Sequence, residues 1–562
     1  MSNNKGFAFR GLEFHNRRMW QWGSVKRALD FMKVFKLNGL IFHQNDILNY
    51  LVFPSELYPP IISQAKSRFF FNGVRSLSLI LNNRLYIQRV IREAKKVGVN
   101  FYLEVKEICY PADFLTWYPE VLKPNGAICT TNPLWWSYLD AKVRELLEVL
   151  PDLAGLIISP ATDETQVSIH HNTCQCRRCQ NTTPQEWYRR LIETIYKPLH
   201  AKGKTLVIRD FVKSPSDHSI LMDALMESPK DIVISLKFAP QDYFHTFPNN
   251  PRIGEVGNHP QWVEFDCWGQ FYGLGFFPCS VVEDMQKRMQ YCYTKGVSGV
   301  LFRTDLEYVA ESSTFNSFNL LNLIGGACLA QNINMDIDKI YEKWLEYGLF
   351  SPLHDESEMR EPIHPSSPTA LKNLRDFMRA SWSVMEKTVY VRGSPLTSNG
   401  TFPSNIDEVT EIMDYKCRWV PGFSNLLEPT EENLKVIFEE KDLALKEVER
   451  LPKILAVEEL GLPQEMVSEL KILLKFYEMY VRGFQLCTHA IFLTKKALKT
   501  KDKKDVCMIL EVLEKLSEYK NNLSKELEDT SYTHLTYQML NSDRLEKLVK
   551  DIRFLLKASN LL

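Results

Sequence analysis

LAGLIISPATDETQ, residues 153–166, passes within a few positions from an apolar run into small and polar residues. Such a run reads as a buried strand that delivers Asp163 and Glu164 to a solvent-facing rim. Adjacent carboxylates at a strand end suit acid–base chemistry, while the plain alternative is a helix N-terminus capped by Thr162 or Asp163. The rest of the chain favours the first reading, because it repeats the arrangement.

Before the central stretch come GFAFRGLEFHNR, LNGLIFHQND and VNFYLEVKE, and after it come KTLVIRDFV, DIVISLKFAPQD, WVEFDCWGQ and GVSGVLFRTDLE. Helical patterns separate them, among them Val25, Ala28, Leu29, Phe31, Met32 and Phe35, and the Trp-rich NPLWWSYLDAKVRELLEVL. Strand candidates alternating with helices at intervals of roughly 30 to 60 residues predict a parallel (β/α)8 TIM barrel over residues 1–350. Function then belongs at the carboxyl ends of the strands. Those ends carry acids, cations and aromatics, a composition that suits a sugar pocket.

Beyond Pro352 the strand signal stops. Residues 351–429 read as a helical and loop-rich connecting region, with Tyr390–Pro429 the loop-rich part. Residues 430–562 read as an α-helical bundle, with Met466, Leu470, Leu473, Tyr477, Val481 and Phe484 on one stripe and KTKDKKD as a solvated turn. This mainly helical C-terminal domain offers a surface for homo-oligomer formation.

The 562 residues contain 68 Lys and Arg against 69 Asp and Glu. That balance asks for neither nucleic acid nor an anionic membrane as a dominant partner. No apolar run approaches a membrane span, and the N-terminal MSNNKGFAFRGLEFH lacks a signal-peptide core. A cytoplasmic protein is expected, with its twelve cysteines reduced.

Glycoside cleavage requires a proton donor for the departing oxygen and a second carboxylate acting as base or nucleophile. Glu164, Asp242 and Asp266 stand at the ends of the fourth, sixth and seventh strand candidates and can divide those roles. Over most of residues 8–346 the chain resembles the glycoside hydrolase family 67 α-glucuronidases. The pieces in order are the Trp-rich helix with the central stretch, LVIRDFV, DIVISLKFAPQDYF, WVEFDCWGQ, and GVSGVLFRTDLE followed by IYEKWL.

The resemblance implies an inverting, exo-acting hydrolase of a terminal uronic acid on a short oligosaccharide, with no cofactor required for catalysis. Glu164 then looks like the general acid, and Asp242 and Asp266 like base candidates. Asp163, Arg209, Lys237, Trp268, Gln270, His43, Asn45 and Glu104 are the expected substrate-binding residues. The chain departs from the family where Asp266 replaces a glutamate and Pro160 a lysine. An alternative within glycosidases is a family 20-like β-hexosaminidase, in which Asp163 steers an acetamido group and Glu164 donates the proton.

The segment HHNTCQCRRCQ gathers imidazoles and thiols in one loop after Glu164. His171, Cys174, Cys176 and Cys179 are its candidate structural-zinc ligands, against the plainer reading of cysteines that pack the loop. If that loop were the functional centre, the protein would be a non-catalytic carbohydrate-binding or regulatory module on a barrel scaffold.

Overall fold

In the computed structural model eight short strands, each rich in Leu, Ile, Val or Phe, lie side by side in sequence order and close into a parallel barrel. They are β1 (Phe9–Phe14), β2 (Gly39–His43), β3 (Asn100–Val105), β4 (Gly155–Ile158), β5 (Thr205–Asp210), β6 (Val233–Lys237), β7 (Gln261–Asp266) and β8 (Gly299–Arg303). All eight coincide with the strands read from sequence. The structure describes residues 5–54, 56–57, 68–112, 114–162, 164–211, 215–307, 309, 312–354, 360–528 and 532–562, with the side chains of 68–76 left aside. Asp163 lies outside the described residues.

Packing divides the chain into two compact units. The first comprises Met1–Phe238, Asn250–Phe265 and Gln290–Arg303, and the second Ala239–Asn249, Asp266–Met289 and Thr304–Leu562.

In the first unit the strands are buried on both faces, as a parallel barrel sheathed by helices requires. Side-chain alternation then sorts each strand into an outward and an inward set. Ile41, Tyr102, Ile157, Val207, Val233, Trp262 and Leu301 form one inward apolar cluster. Phe9 stacks on Trp262 at 3.6 Å between ring centroids. The stack needs glycine beside it, because a Cβ on Gly39 would collide with Phe9 and one on Gly299 with Trp262. Two residues further along their strands, the inward positions become His43, Glu104, Ser159, Arg209, Ser235, Glu264 and Arg303, joined by Glu13 of β1. The apolar layer is thus the floor of a polar one.

The helices carry the expected signals. Val25, Ala28, Leu29, Phe31, Met32 and Phe35 are the buried face of helix Trp22–Phe35. Helix Pro184–Ala201 begins with a capping box in which the Glu186 amide donates to Thr183 Oγ1 (3.2 Å) and the Thr183 amide to Glu186 Oε2 (2.9 Å). On the outer side of β3, Lys142 of helix Leu134–Val149 donates to Glu107 Oε1 and to the Cys109 carbonyl, each at 2.8 Å. Both side chains of this ion pair are fully buried.

The second unit is helical. Its longest element, Gln464–Thr500, buries the stripe from Met466 to Phe484 anticipated from spacing. The charge run forms the turn into helix Lys503–Glu526, with Lys501 left-handed and Asp502 capping. Between Tyr390 and Pro429 the structure contains a helix, Ile406–Trp419, that the loop-rich reading passed over. Pro and Gly on both sides masked its short apolar face of Ile406, Val409, Ile412 and Met413. No helix among the described residues is long and apolar enough to cross a membrane.

Candidate active site

The polar layer of the barrel unit is a linked set of charges with few routes to water. Arg209, 2% exposed, donates from Nε to Glu264 at 2.8 Å, places Nη2 2.7 Å from the same carboxylate, and reaches Glu104 only at 3.3 Å. Ser235 Oγ donates to Glu264 at 2.7 Å. Glu104 in turn lies 3.4 Å from His43 Nε2, and His43 Nδ1 meets Glu13 at 2.8 Å. The ring of His15 stacks on His43 with centroids 3.7 Å apart.

This unequal sharing of one guanidinium separates the two glutamates. Burial pushes both carboxyls upward, but Arg209's charge and hydrogen bonds, with Ser235's, override it at Glu264 and hold that group at about 2. At Glu104 burial wins, aided by Glu13 and Glu264, and its value rises to about 8. Burial thus favours the protonated form of Glu104, and Arg209 the ionised form of Glu264. Burial, then the charges of His15, Lys106, Arg209 and Arg303, holds His43 well below its ordinary range, so the imidazole is neutral.

Above this layer lies the ring of Phe211, one residue past β5. Lys237 Nζ stands 3.6 Å from its centroid, the Arg209 guanidinium 5.2 Å and Lys106 Nζ 5.4 Å. Lys106 is almost fully buried and lies 3.4 Å from Glu164, whose side chain is 41% exposed. Burial, then Arg209, pushes the Lys106 ammonium downward. Glu164 thus combines access to solvent with a cation at its back. Asn45 supports the same corner, its carbonyl accepting from the Lys106 amide at 2.9 Å.

The barrel unit places Glu164, His43, Asn45, Glu104, Arg209 and Lys237 in this one layer and the corner above it. Arg209 is engaged there by two carboxylates from other strands, Glu264 and Glu104. Sequence reasoning left Lys106, Phe211 and Glu264 out of the site. Strand alternation held the missing signal: Glu264 follows the floor residue Trp262 by two positions, and Lys106 follows Glu104 by two.

In the second unit, Asp266 ends β7 and folds its carboxylate back onto its own turn. It accepts from the amides of Trp268 (3.0 Å), Gly269 (3.1 and 3.2 Å) and Gln270 (2.7 Å). Gln270 Nε2 donates to Asn399 at 3.1 Å. Trp268 was expected as a stacking face, but its indole is 0% exposed, lies against Gly275 and points Nε1 toward Ser312 Oγ at 3.4 Å. An enclosed ring has no face for a sugar, which corrects that expectation. Asp242 is half-buried with a left-handed backbone, φ 46°, a conformation that costs energy outside glycine and gathers at functional loops.

The metal-ligand expectation changes in one member. Cys174, Cys176 and Cys179 do converge, but their fourth neighbour is Cys129. His171 is exposed on the short turn Ile169–His171.

No protein-family model matches the chain, and no curated protein matches it. Solved structures do. A GH138 enzyme targeting the pectin rhamnogalacturonan II superposes with a TM-score of 0.64 at 12% identity, over 96% of this chain and 66% of that one. A Thermobaculum terrenum O-GlcNAc hydrolase mutant gives 0.44 at 12% identity, over 99% of this chain and 97% of that one. A Vibrio harveyi GH20 exo-β-N-acetylglucosaminidase gives 0.40 at 13% identity, over 60% and 58%. The chain spans 66% of the length of the GH138 enzyme, and what the two share is the fold, a (β/α)8 barrel followed by a helical region.

Proposed function

We propose that the protein is an exo-acting glycoside hydrolase that removes a terminal acidic sugar from a short oligosaccharide. The observation that carries this reading is the group of Lys106, Arg209 and Lys237 around the Phe211 ring, with the accessible Glu164 held against Lys106. Lys237 and Lys106 stand over the Phe211 ring beside the Arg209–Glu264 pair, and an aromatic ring among cations suits a sugar that carries a carboxylate.

In this reading Glu164 protonates the glycosidic oxygen as the bond to the anomeric carbon breaks. The base, assigned from sequence order, is Asp242 or Asp266. Three amides already occupy the Asp266 carboxylate, and such bonding lowers basicity, so Asp242 is the assignment we favour. Attack by a water that this base deprotonates inverts the anomeric carbon.

A panel of aryl glycosides, uronic, neutral and N-acetylated, with the first-formed anomer followed by NMR, tests the reading. Turnover of a uronide with inversion is expected. Turnover confined to N-acetyl sugars would instead support the hexosaminidase alternative, and binding without hydrolysis of any glycoside would indicate a non-catalytic carbohydrate-binding protein.

A further inference from the structure

Four thiols with no part in this chemistry meet inside the barrel unit. Cys129 lies between β3 and helix Leu134–Val149, whereas Cys174, Cys176 and Cys179 lie between β4 and helix Pro184–Ala201. All four sulfurs fall within 4.8 Å of one another. Cys129 Sγ is 3.7 Å from Cys176 Sγ and 3.8 Å from Cys179 Sγ. A disulfide would bring two sulfurs to about 2.05 Å. Tetrahedral zinc, with Zn–S of about 2.3 Å, sets its sulfurs about 3.8 Å apart. The observed spacing is that of thiolates around a shared ion.

We propose that Cys129, Cys174, Cys176 and Cys179 bind one zinc ion as a closed four-thiolate site that fastens the loop after β3 to the loop after β4.

The surroundings fit this assignment. Cys129, Cys174 and Cys179 are buried and Cys176 is half-buried, so the ion would be shielded from competing ligands. Thiolate sulfur needs hydrogen-bond donors around it, and Thr131 Oγ1 lies 3.1 Å from Cys179 Sγ while the Cys179 amide bonds the Cys176 sulfur. The Cys129 and Thr130 carbonyls are pinned by the indole N–H groups of Trp135 (3.0 Å) and Trp187 (2.9 Å), which fixes the first ligand's backbone. Cys176 begins the short helix Arg177–Asn181, accepting from the Gln180 amide at 3.0 Å. On binding, each thiol still protonated releases its proton to solvent, and four thiolates around Zn2+ leave two negative charges. Four protein ligands fill the tetrahedron, so the site is structural. The second of the joined loops also carries Glu164, which gives the clamp a bearing on the candidate acid.

The test uses the full-length protein, purified without chelator or immobilised metal from cells supplied with zinc. Elemental analysis should find about one zinc per chain, and cobalt(II) exchanged into the protein should show intense thiolate-to-metal charge-transfer absorption. Cys129→Ser should lose the zinc and weaken that absorption, while His171→Ala should keep both. If Cys129→Ser does not fold, the unmodified protein's zinc content and cobalt spectrum carry the test. A metal-free protein with four titratable thiols, disulfides found by intact mass, or zinc lost with His171→Ala but kept with Cys129→Ser would each overturn the proposal.

Discussion

Arg209 binds Glu264 through two nitrogens, at 2.8 and 2.7 Å, and touches Glu104 at 3.3 Å. One guanidinium between two buried carboxylates cannot neutralise both, and its closer pairing favours the charge on Glu264 and the proton on Glu104.

Glu264→Gln should destabilise the protein, because it removes one side of a buried pair and leaves Arg209 short of its partner. The expected loss at neutral pH is about 3 to 5 kcal/mol, read from urea denaturation. Glu264 is depressed from 4.5 to about 2, so its contribution is present above 4.5 and fades as pH falls toward 2. The variant should therefore lose stability less steeply than the parent across that acid window.

Glu104→Gln has the opposite signature. Glu104 is raised from 4.5 to about 8, so its contribution is full below 4.5 and declines as pH rises through 8. Glutamine mimics the protonated form, and the stability of the variant should change less between pH 4.5 and 8 than that of the parent. An unchanged pH profile would mean that Glu104 is ionised.

Lys142→Met would leave Glu107 buried without its cation. A loss of about 3 to 5 kcal/mol is expected, with an unchanged denaturant slope. The double variant Lys142→Met with Glu107→Leu should recover part of it, since no charge is then buried.

Lys237→Ala tests the acidic-sugar reading while leaving the hydrogen bonds of Arg209 to Glu264 in place. Loss of a charge-assisted hydrogen bond, about 1.5 to 3 kcal/mol, corresponds to roughly ten- to more than hundredfold in kcat/KM on a uronide. The matched neutral glycoside should be nearly unaffected. Equal losses on both would make Lys237 a supporting group only.

The barrel was legible because parallel strands buried on both faces leave apolar runs in the sequence, and each run here ends in polar residues. The polar layer was less legible. Glu264 hides inside the strand WVEFD, where a charged residue reads as an outward one unless the inward register is already fixed by Trp262. Trp268 reads as a sugar platform from composition, yet Gly275 lets the backbone close over its indole. Cys129 could not be joined to the C-x-C-x-x-C loop by spacing, since folding alone brings the β3 and β4 loops together. Arg209 was found by position, but its role depends on two carboxylates from other strands.

The most direct test of the account is the dependence of Glu164→Gln on the leaving group. Proton donation matters when the departing oxygen is a poor leaving group and is nearly dispensable for an activated phenol. Comparing kcat/KM for parent and variant on a disaccharide and on a nitrophenyl glycoside of the same acidic sugar, the account predicts a severe loss on the disaccharide and a much smaller one on the nitrophenyl substrate. Equal losses on both, or near-native rates on the disaccharide, would contradict it.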